Sequence, residues 1–352
     1  MSGDGYRVGV LGATGAVGTT ILEVLAERGF PASEIVPIAS ERSAGRRIPH
    51  EGGELEVRVL SPEAIAGLDI VLSSAGGAIS AEWAPRIVEA GAVVIDNTSF
   101  WRMHDEVPLV VSEVNPDAVE GHRGLIANPN CSTMQMVVAL APIQREVGIE
   151  RIVVSTYQSV SGTGQNAVEE LRAQARAVLA GDEPAAEVYP HPIAFNVLPQ
   201  VEAFKEGDDY TTEERKMMAE TRKILGVDET ELGISATCVR VPVFVGHSES
   251  VNIRTRRPLS PAECRDLLSG ADGVTVIDSP AEGLYPLATD AAGRDDVLVG
   301  RIREDPSDER SLNLWIVGDN LRKGAATNAV QVAEQLHQRN LVRVPETTAS
   351  FA

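Results

Sequence analysis

The amino-acid sequence predicts an α/β protein in two parts: an N-terminal parallel sheet with crossover helices, then an α+β part built on a mixed sheet. Three observations predict it. Over the first 130 residues, short apolar runs alternate with amphipathic stretches at the rhythm of β-α-β units. From Arg151 the apolar runs become longer and β-branched, as in a larger mixed or antiparallel sheet. A chain of 352 residues, 43% of them hydrophobic, is too long for one comfortable core and too apolar for large-scale disorder.

Taken in order, strands are expected at Arg7–Leu11, Ile35–Ala39, Leu55–Val59, Asp69–Ser73, Ala92–Asp96, Leu109–Val111 and Leu125–Ala127, with helices at Ala16–Arg28 and Ser80–Ala90. A further helix runs from Cys131 to about Val147. The second part has β-branched runs at Arg151–Tyr157, Gly233–Val243, Ser248–Arg256, Val297–Ile302 and Ser311–Val317. Its helices fit Asn166–Leu179, Thr212–Leu225 and Pro261–Leu268. Four prolines make 181–199 an irregular connection. The last helix, Leu321–Gln338, carries Leu321, Ala325, Ala329, Val332, Ala333 and Leu336 on one face, which is expected to pack back on the N-terminal sheet. The domains read as 1–130 with 320–343, then 131–319, with 344–352 a loose tail.

A formal charge of −20 argues against nucleic-acid or anionic-membrane partners, because like charge repels phosphate. An anion pocket in such a chain must be made locally by particular arginines and lysines. Cys131, Cys238 and Cys264 are odd in number and widely spaced, with no CxxC pair, so neither a disulfide framework nor a metal site is expected. The N-terminus has no basic-then-apolar signal, and no run approaches the length of a membrane span. The protein reads as cytoplasmic.

The run YRVGVL leads straight into Gly12-Ala-Thr-Gly15-Ala-Val-Gly18 and an apolar helix. Glycines at a first strand-to-helix junction permit a tight turn and close approach of backbone to a pyrophosphate. This reads as a Rossmann-like dinucleotide site, against the alternative of a purely structural turn. After Ile35–Ala39 come Ser40, Arg42 and Ser43, with Arg46 and Arg47 close behind. Cation and small polar groups there suit the 2′-phosphate of NADP, whereas NAD is held by an acidic residue. Glu41 is the opposing charge, and a solvated basic loop is the other reading.

Asn128-Pro-Asn-Cys131-Ser-Thr precedes the apolar stretch Met134–Ile143, which puts Cys131 at the first turn of a helix. Free backbone N–H groups and the helix dipole stabilise a thiolate there, and could hold a tetrahedral oxyanion. Cys238 and Cys264 lie in apolar segments and read as core. His247 sits on a short turn between two strong strands, placed either as an acid–base group or as an exposed turn residue. Arg240, in a strand of Val and Pro, needs an anionic partner, either a structural carboxylate or that of a substrate.

Together these segments resemble the aspartate-β-semialdehyde dehydrogenase family. The match spans nearly the whole chain: GATGAVG at 12–18, SAGG at 74–77, DNTSFWR at 96–102, VPLVVSEVN at 107–115, NPNCST at 128–133, YQSVSGTG at 157–164, EERK at 213–216, RVPVFVGHSES at 240–250 and GDNLRKGAA at 318–326. The resemblance implies a Rossmann-like domain completed by the C-terminal helix, and a catalytic domain that forms a homodimer or a dimer of dimers. It implies reversible conversion of L-aspartate 4-semialdehyde, phosphate and NADP into 4-phospho-L-aspartate and NADPH, in lysine, threonine, methionine and isoleucine synthesis. Residue by residue, it makes Cys131 the nucleophile, His247 the acid–base group and Gln158 the residue that orients the acyl intermediate. Arg240 takes the substrate α-carboxylate and Glu213 its amino group, while Arg102, Lys216 and Asn130 bind phosphate. Gly12, Ala13, Thr14, Gly15, Ala16 and Val17 form the pyrophosphate turn, and Ser40, Arg42 and Ser43 meet the 2′-phosphate. Ser73 and Gly76 contact the middle of the cofactor; Ser161, Gly162 and Asn320 line its nicotinamide end.

Three other readings stand beside this one. N-acetyl-γ-glutamyl-phosphate reductase performs the same chemistry without binding a free amino group, against which Glu213 and the NCS segment argue. A malonyl-CoA reductase of archaeal type would need room for coenzyme A near Arg102 and Lys216. A nucleotide-sensing protein on the same scaffold would bind NADP without turnover, and would be expected to lack Cys131, His247 or Arg240.

Overall fold

In the computed structural model, which describes residues 5–344, two sheets organise two units. The first unit comprises the chain up to Asn130 and again from Ala325; the second is Cys131–Gly324. The first is built from β1 (Tyr6–Leu11), α1 (Ala16–Glu27), β2 (Ala32–Ala39), β3 (Arg47–His50), β4 (Gly53–Glu56), β5 (Arg58–Val59), α2 (Pro62–Ile65), β6 (Ile70–Ser73), α3 (Gly77–Glu89), β7 (Val93–Asp96) and β8 (Leu125–Ala127). Its sheet is parallel, in the order β5-β2-β1-β6-β7-β8, so the winding reverses at β1. That reversal opens a crevice beyond the carboxyl ends of β1 and β6, where sheets of this kind take ligands.

Two strand expectations are corrected. Leu55–Val59 is not one strand: Gly53–Glu56 pairs back on Arg47–His50 as a hairpin, and Arg58–Val59 then joins β2. An alternating pattern cannot show where a strand changes partner. Leu109–Val111 makes only one bridge, Leu109 to Ala127, yet all three residues are buried. The Asn115 side chain replaces the missing ladder, accepting from Val111 N at 2.8 Å and donating to Leu109 O at 2.9 Å. Burial made this loop apolar, and apolarity alone looks like a strand.

The C-terminal helix, Asn328–Gln338, puts Ala329, Val332, Ala333 and Leu336 into one core with Val8, Val10 and Ile21. Instead of one regular helix from Leu321, a π-helical segment (Arg322–Thr327) precedes it. Of the expected tail, Val344 packs half-buried against that core, and 345–352 lies outside the described residues.

The second unit contains α4 (Cys131–Val147), β9 (Ile149–Gln158), α5 (Gln165–Ala180), α6 (Thr212–Leu225), β10 (Gly233–Arg240), β11 (His247–Thr255), α7 (Pro261–Ser269), β12 (Val274–Val276), α8 (Ala288–Ala291), β13 (Val297–Asp305) and β14 (Asp308–Gly318). The sheet order is β10-β9-β11-β14-β13-β12, with parallel pairs only at β9/β10 and β12/β13. α4 is buried almost all round from Ser132 to Ala141, as its largely apolar run with only Ser132, Thr133 and Gln135 polar requires. α6 and α7 flank it, each started by a reciprocal capping box, Thr211 with Glu214 and Ser260 with Glu263. Among the described residues no helix is long and apolar enough to cross a membrane.

Candidate active site

In the first unit the glycine turn is shaped by close contacts. Gly12 leaves β1 at φ +86°, and a Cβ there would lie 2.9 Å from Ser74 Oγ. A Cβ on Gly18 would fall 2.1 Å from the Gly12 carbonyl oxygen, so only glycine lets α1 start this close to the turn. Gly15, the N-cap of α1, has no side chain to satisfy the first-turn amides, and Ala16 and Val17 open the helix. Ala13 is buried, while Thr14 Oγ1 lies 3.4 Å from Ser43 Oγ, joining the first turn to the second. Ser40 caps the short turn Glu41–Ser43 at the end of β2, with Ser40, Glu41 and Arg42 all exposed. Ser73, at the end of β6, is buried, and Gly76 turns at φ +90° into α3. Arg102 is buried, its Nε donating to Asn128 O at 2.9 Å and its Nη2 to Asn97 O at 2.8 Å; Asn130 is buried as well.

In the second unit Cys131 is the first residue of α4 and is half-buried. Gly324 makes room for it, since a Cβ on that glycine would approach Cys131 Cβ to 2.7 Å. Two strings of hydrogen bonds leave the consecutive residues Gln158 and Ser159 at the end of β9. Gln158 Nε2 donates to Ser132 Oγ at 2.6 Å and to Glu213 Oε1 at 3.1 Å. Glu213 Oε2 is 3.4 Å from Lys216 Nζ one turn along α6, and Lys216 also pairs with Glu202. On the other string, Ser159 O accepts from Arg240 Nη1 at 2.7 Å, and Ser159 N donates to His247 Nδ1 at 3.1 Å. Ser159 Oγ and Ser161 Oγ donate to Asn320 Oδ1 at 3.0 and 3.2 Å, and Gly246 N donates to the same oxygen at 3.0 Å.

His247 is therefore no exposed turn residue. It begins β11 and is fully buried. A backbone N–H pointing at Nδ1 can only donate, which leaves the ring proton on Nε2. Nε2 has no partner, and neither does the buried Nε of Arg240. Gly162 keeps the space beside both open: a Cβ there would lie 3.3 Å from Arg240 Nη1 and from His247 Nε2. Burial, and next the Arg240 charge, hold the His247 pKa well below 6.5, so the imidazole is neutral at neutral pH. Cys264 and Cys238 differ in kind from Cys131, because burial pushes their thiols up, that of Cys264 to about 12.

Sequence reasoning missed the residues that hold this set in place. Ser159 links Arg240 to His247, and Ser132 receives Gln158. Gln135, one helical turn beyond Cys131, donates to His247 O at 3.3 Å. The i+4 spacing of Cys131 and Gln135 was a visible signal for the last; nothing in the sequence singled out Ser159.

Comparison with known proteins finds relatives over nearly the whole chain. Residues 7–122 match the family model for the semialdehyde dehydrogenase NAD binding domain, and 140–323 that for the semialdehyde dehydrogenase dimerisation domain. The aspartate-semialdehyde dehydrogenase of Aquifex aeolicus is 54% identical, over 96% of this chain and all of that one. The crystal structure of aspartate semialdehyde dehydrogenase II from Vibrio cholerae complexed with ASA superposes with a TM-score of 0.92 at 47% identity, covering 95% of this chain and 98% of that one. The Candida albicans enzyme with NADP gives 0.76 at 27% identity, over 96% and 99%. A nucleotide-binding parallel-sheet unit joined to a mixed-sheet dimerisation unit is the plan of the semialdehyde dehydrogenases. Within them, this chain belongs to the aspartate-semialdehyde dehydrogenase family.

Proposed function

We propose that the chain interconverts 4-phospho-L-aspartate and L-aspartate 4-semialdehyde through a covalent adduct on Cys131. One observation carries the assignment of roles. A buried guanidinium and a buried imidazole, each with an unpartnered nitrogen, flank a space kept open by Gly162, on strings that start beside the residue bound to Ser132. Buried donors without acceptors are costly, and a carboxylate and a carbonyl oxygen are the ligands that would satisfy them.

In the reductive direction Cys131 Sγ bonds to the acyl carbon as the carbon–oxygen bond to phosphate breaks, releasing phosphate and leaving a thioester. The thiolate is supported by the N-terminus of α4. NADPH, when bound, supplies the hydride that reduces the thioester carbon. His247 Nε2–H donates to the oxygen on which charge then develops, and keeps its proton as the carbon–sulfur bond breaks to give aldehyde and thiolate. Gln158, held between Ser132 and Glu213, orients the acyl group. Arg240 takes the α-carboxylate and Glu213 the amino group; Lys216, Arg102 and Asn130 take phosphate.

The cofactor fits the first unit on its own contacts. The glycine turn at the β1 reversal and the uncapped start of α1 suit a pyrophosphate, and Ser40, Arg42 and Ser43 suit a 2′-phosphate. Ser73 and Gly76 are the contacts proposed for the middle of the cofactor, and Ser161, Gly162 and Asn320 those for the nicotinamide. The same reading expects a cytoplasmic homodimer formed through the second unit; light scattering separates a dimer from a dimer of dimers.

The test is NADPH formation from L-aspartate 4-semialdehyde, NADP and phosphate, with N-acetylglutamate semialdehyde and NAD in parallel. Phosphate-dependent turnover of the first substrate supports the reading. Turnover of the acetylated substrate alone would transfer the chain to the rival reductase.

A further inference from the structure

The segment 181–199 looks in the sequence like a mere connection, but side chains of α5 fasten it along its length. Glu170 Oε2 accepts from Glu187 N at 2.8 Å and Val188 N at 2.6 Å. Gln174 Oε1 accepts from Ile193 N at 2.8 Å and Ala194 N at 3.0 Å, while its amide donates to Ala185 O at 2.7 Å. At its far end Leu198 exchanges backbone hydrogen bonds of 2.8 and 2.9 Å with Arg240 itself. The strap thereby carries Tyr189 to a defined place: the Arg240 guanidinium carbon lies over its ring, 5.9 Å from the centroid. The ring packs against the cluster of Val160, Ala167 and Leu171, and its hydroxyl donates to Thr163 Oγ1 at 2.9 Å, next to Gly162.

We infer that Tyr189 is a positioning residue for the carboxylate end of the substrate site, bracing the face of the Arg240 guanidinium so that its free edge meets the ligand. Arg240 is tied at one corner, Nη1 to Ser159 O, and its buried Nε has no partner. A planar fork held at one corner can still tilt, and bidentate capture of a carboxylate depends on the plane. The ring supplies a wall and an electrostatic preference for a cation over its face. Burial keeps the Tyr189 hydroxyl protonated, so its tie to Thr163 persists at neutral pH. The inference rests on the reading that Arg240 takes the α-carboxylate.

Tyr189→Phe keeps the ring; Tyr189→Leu keeps bulk without a π face. The leucine variant is expected to raise the KM for L-aspartate 4-semialdehyde about tenfold, between the sizes of an exposed and a desolvated cation–π contact. Its kcat and its KM for phosphate and NADP should stay within about twofold of the parent, and phenylalanine should restore most of the loss. Calorimetric binding of the semialdehyde to Cys131→Ala, with and without Tyr189→Leu, reads the carboxylate end without chemistry. Weaker binding in the double variant supports Tyr189 whether or not the parent turns over, and an inactive parent would sink the catalytic reading alone. A leucine variant that binds and turns over like the parent overturns the inference. So does a loss spread equally over all three KM values and the melting temperature, which would mark a purely structural residue.

Discussion

Arg240→Lys is the substitution whose cost follows most directly from the geometry. Arg240 is 5% exposed, donates to Ser159 O through Nη1, and has a buried Nε without a partner. A lysine places one ammonium where the fork had two directions of donation. Either the carboxylate loses its second charge-assisted hydrogen bond, about 2 kcal/mol, or Ser159 O loses its donor, about 1 kcal/mol, and partial loss of both is the expected compromise. Some 1–2 kcal/mol corresponds to roughly 5- to 30-fold in kcat/KM for L-aspartate 4-semialdehyde, carried mainly by KM because the carboxylate is bound in ground and transition states alike. The assay is initial-rate NADPH formation with the semialdehyde varied at saturating phosphate and NADP. A kcat/KM within threefold of the parent would remove Arg240 from the substrate site; an unchanged KM with a collapsed kcat would make it part of the chemistry instead.

Cys131→Ala should abolish turnover and leave NADP binding, followed by fluorescence titration, within about twofold; residual turnover would mean another nucleophile. Gly18→Ala should weaken NADP and lower stability by about 1–3 kcal/mol, because a Cβ 2.1 Å from Gly12 O forces the turn away from α1; an unchanged NADP Kd counts against the turn as the pyrophosphate site. Glu249 is fully buried, and burial outweighs the opposing pull of the nearby Gln135 side chain and raises its pKa well above 4.5. Above pH 4.5 the unfolded chain releases this proton while the folded chain keeps it, so the group's stabilising contribution is present below that pH and lost as pH rises toward the folded value, at up to about 1.4 kcal/mol per unit. Glu249→Gln mimics the protonated form without titrating, so its denaturation midpoint should gain on the parent as pH rises from 5 to 8, and a pH-independent difference would show that Glu249 is ionised in the fold.

How much of this was legible in the sequence depends on whether a residue's signal was local. The glycine turn, the thiol at a helix start and the i, i+3 pair Glu213/Lys216 are written in contiguous segments, and each element carrying them folds as its pattern requires. The failures share a cause. The alternating run Leu55–Val59 changes partners between β4 and β5, and the buried Leu109–Val111 has backbone groups satisfied by the Asn115 side chain, so pattern and pairing came apart. Ser159 matters because three distant segments, carrying Arg240, His247 and Asn320, meet at it. No spacing within its own neighbourhood could announce that. Tyr189 was passed over for the opposite reason, since prolines around it read as punctuation while Glu170 and Gln174 made the segment rigid from outside.

The tautomer of His247 fixes what acid should do to the enzyme. A second proton on the ring must go to Nδ1, where the Ser159 N–H already points; it displaces that donor and leaves the ring N–H only Ser159 Oγ, 3.0 Å away, as acceptor, which disturbs the string that also holds Arg240. Activity should therefore fall on the acid side as His247 titrates. In the free enzyme that titration is delayed to low pH by burial and by the positive Arg240 beside it. A substrate carboxylate seated on Arg240 cancels the second of these influences and leaves the first, so the imidazole should accept a proton more readily in the complex. The acid limb of kcat, which reports the complex, is then expected at higher pH than the acid limb of kcat/KM, which reports the free enzyme. Arg240→Met should raise the kcat/KM limb toward that of kcat, because it removes the same charge permanently. Coincident limbs in the parent enzyme, measured with phosphate and NADP saturating, would mean that the carboxylate binds elsewhere or that another group sets the acid limb; a Met variant whose limb does not move would decide for the latter.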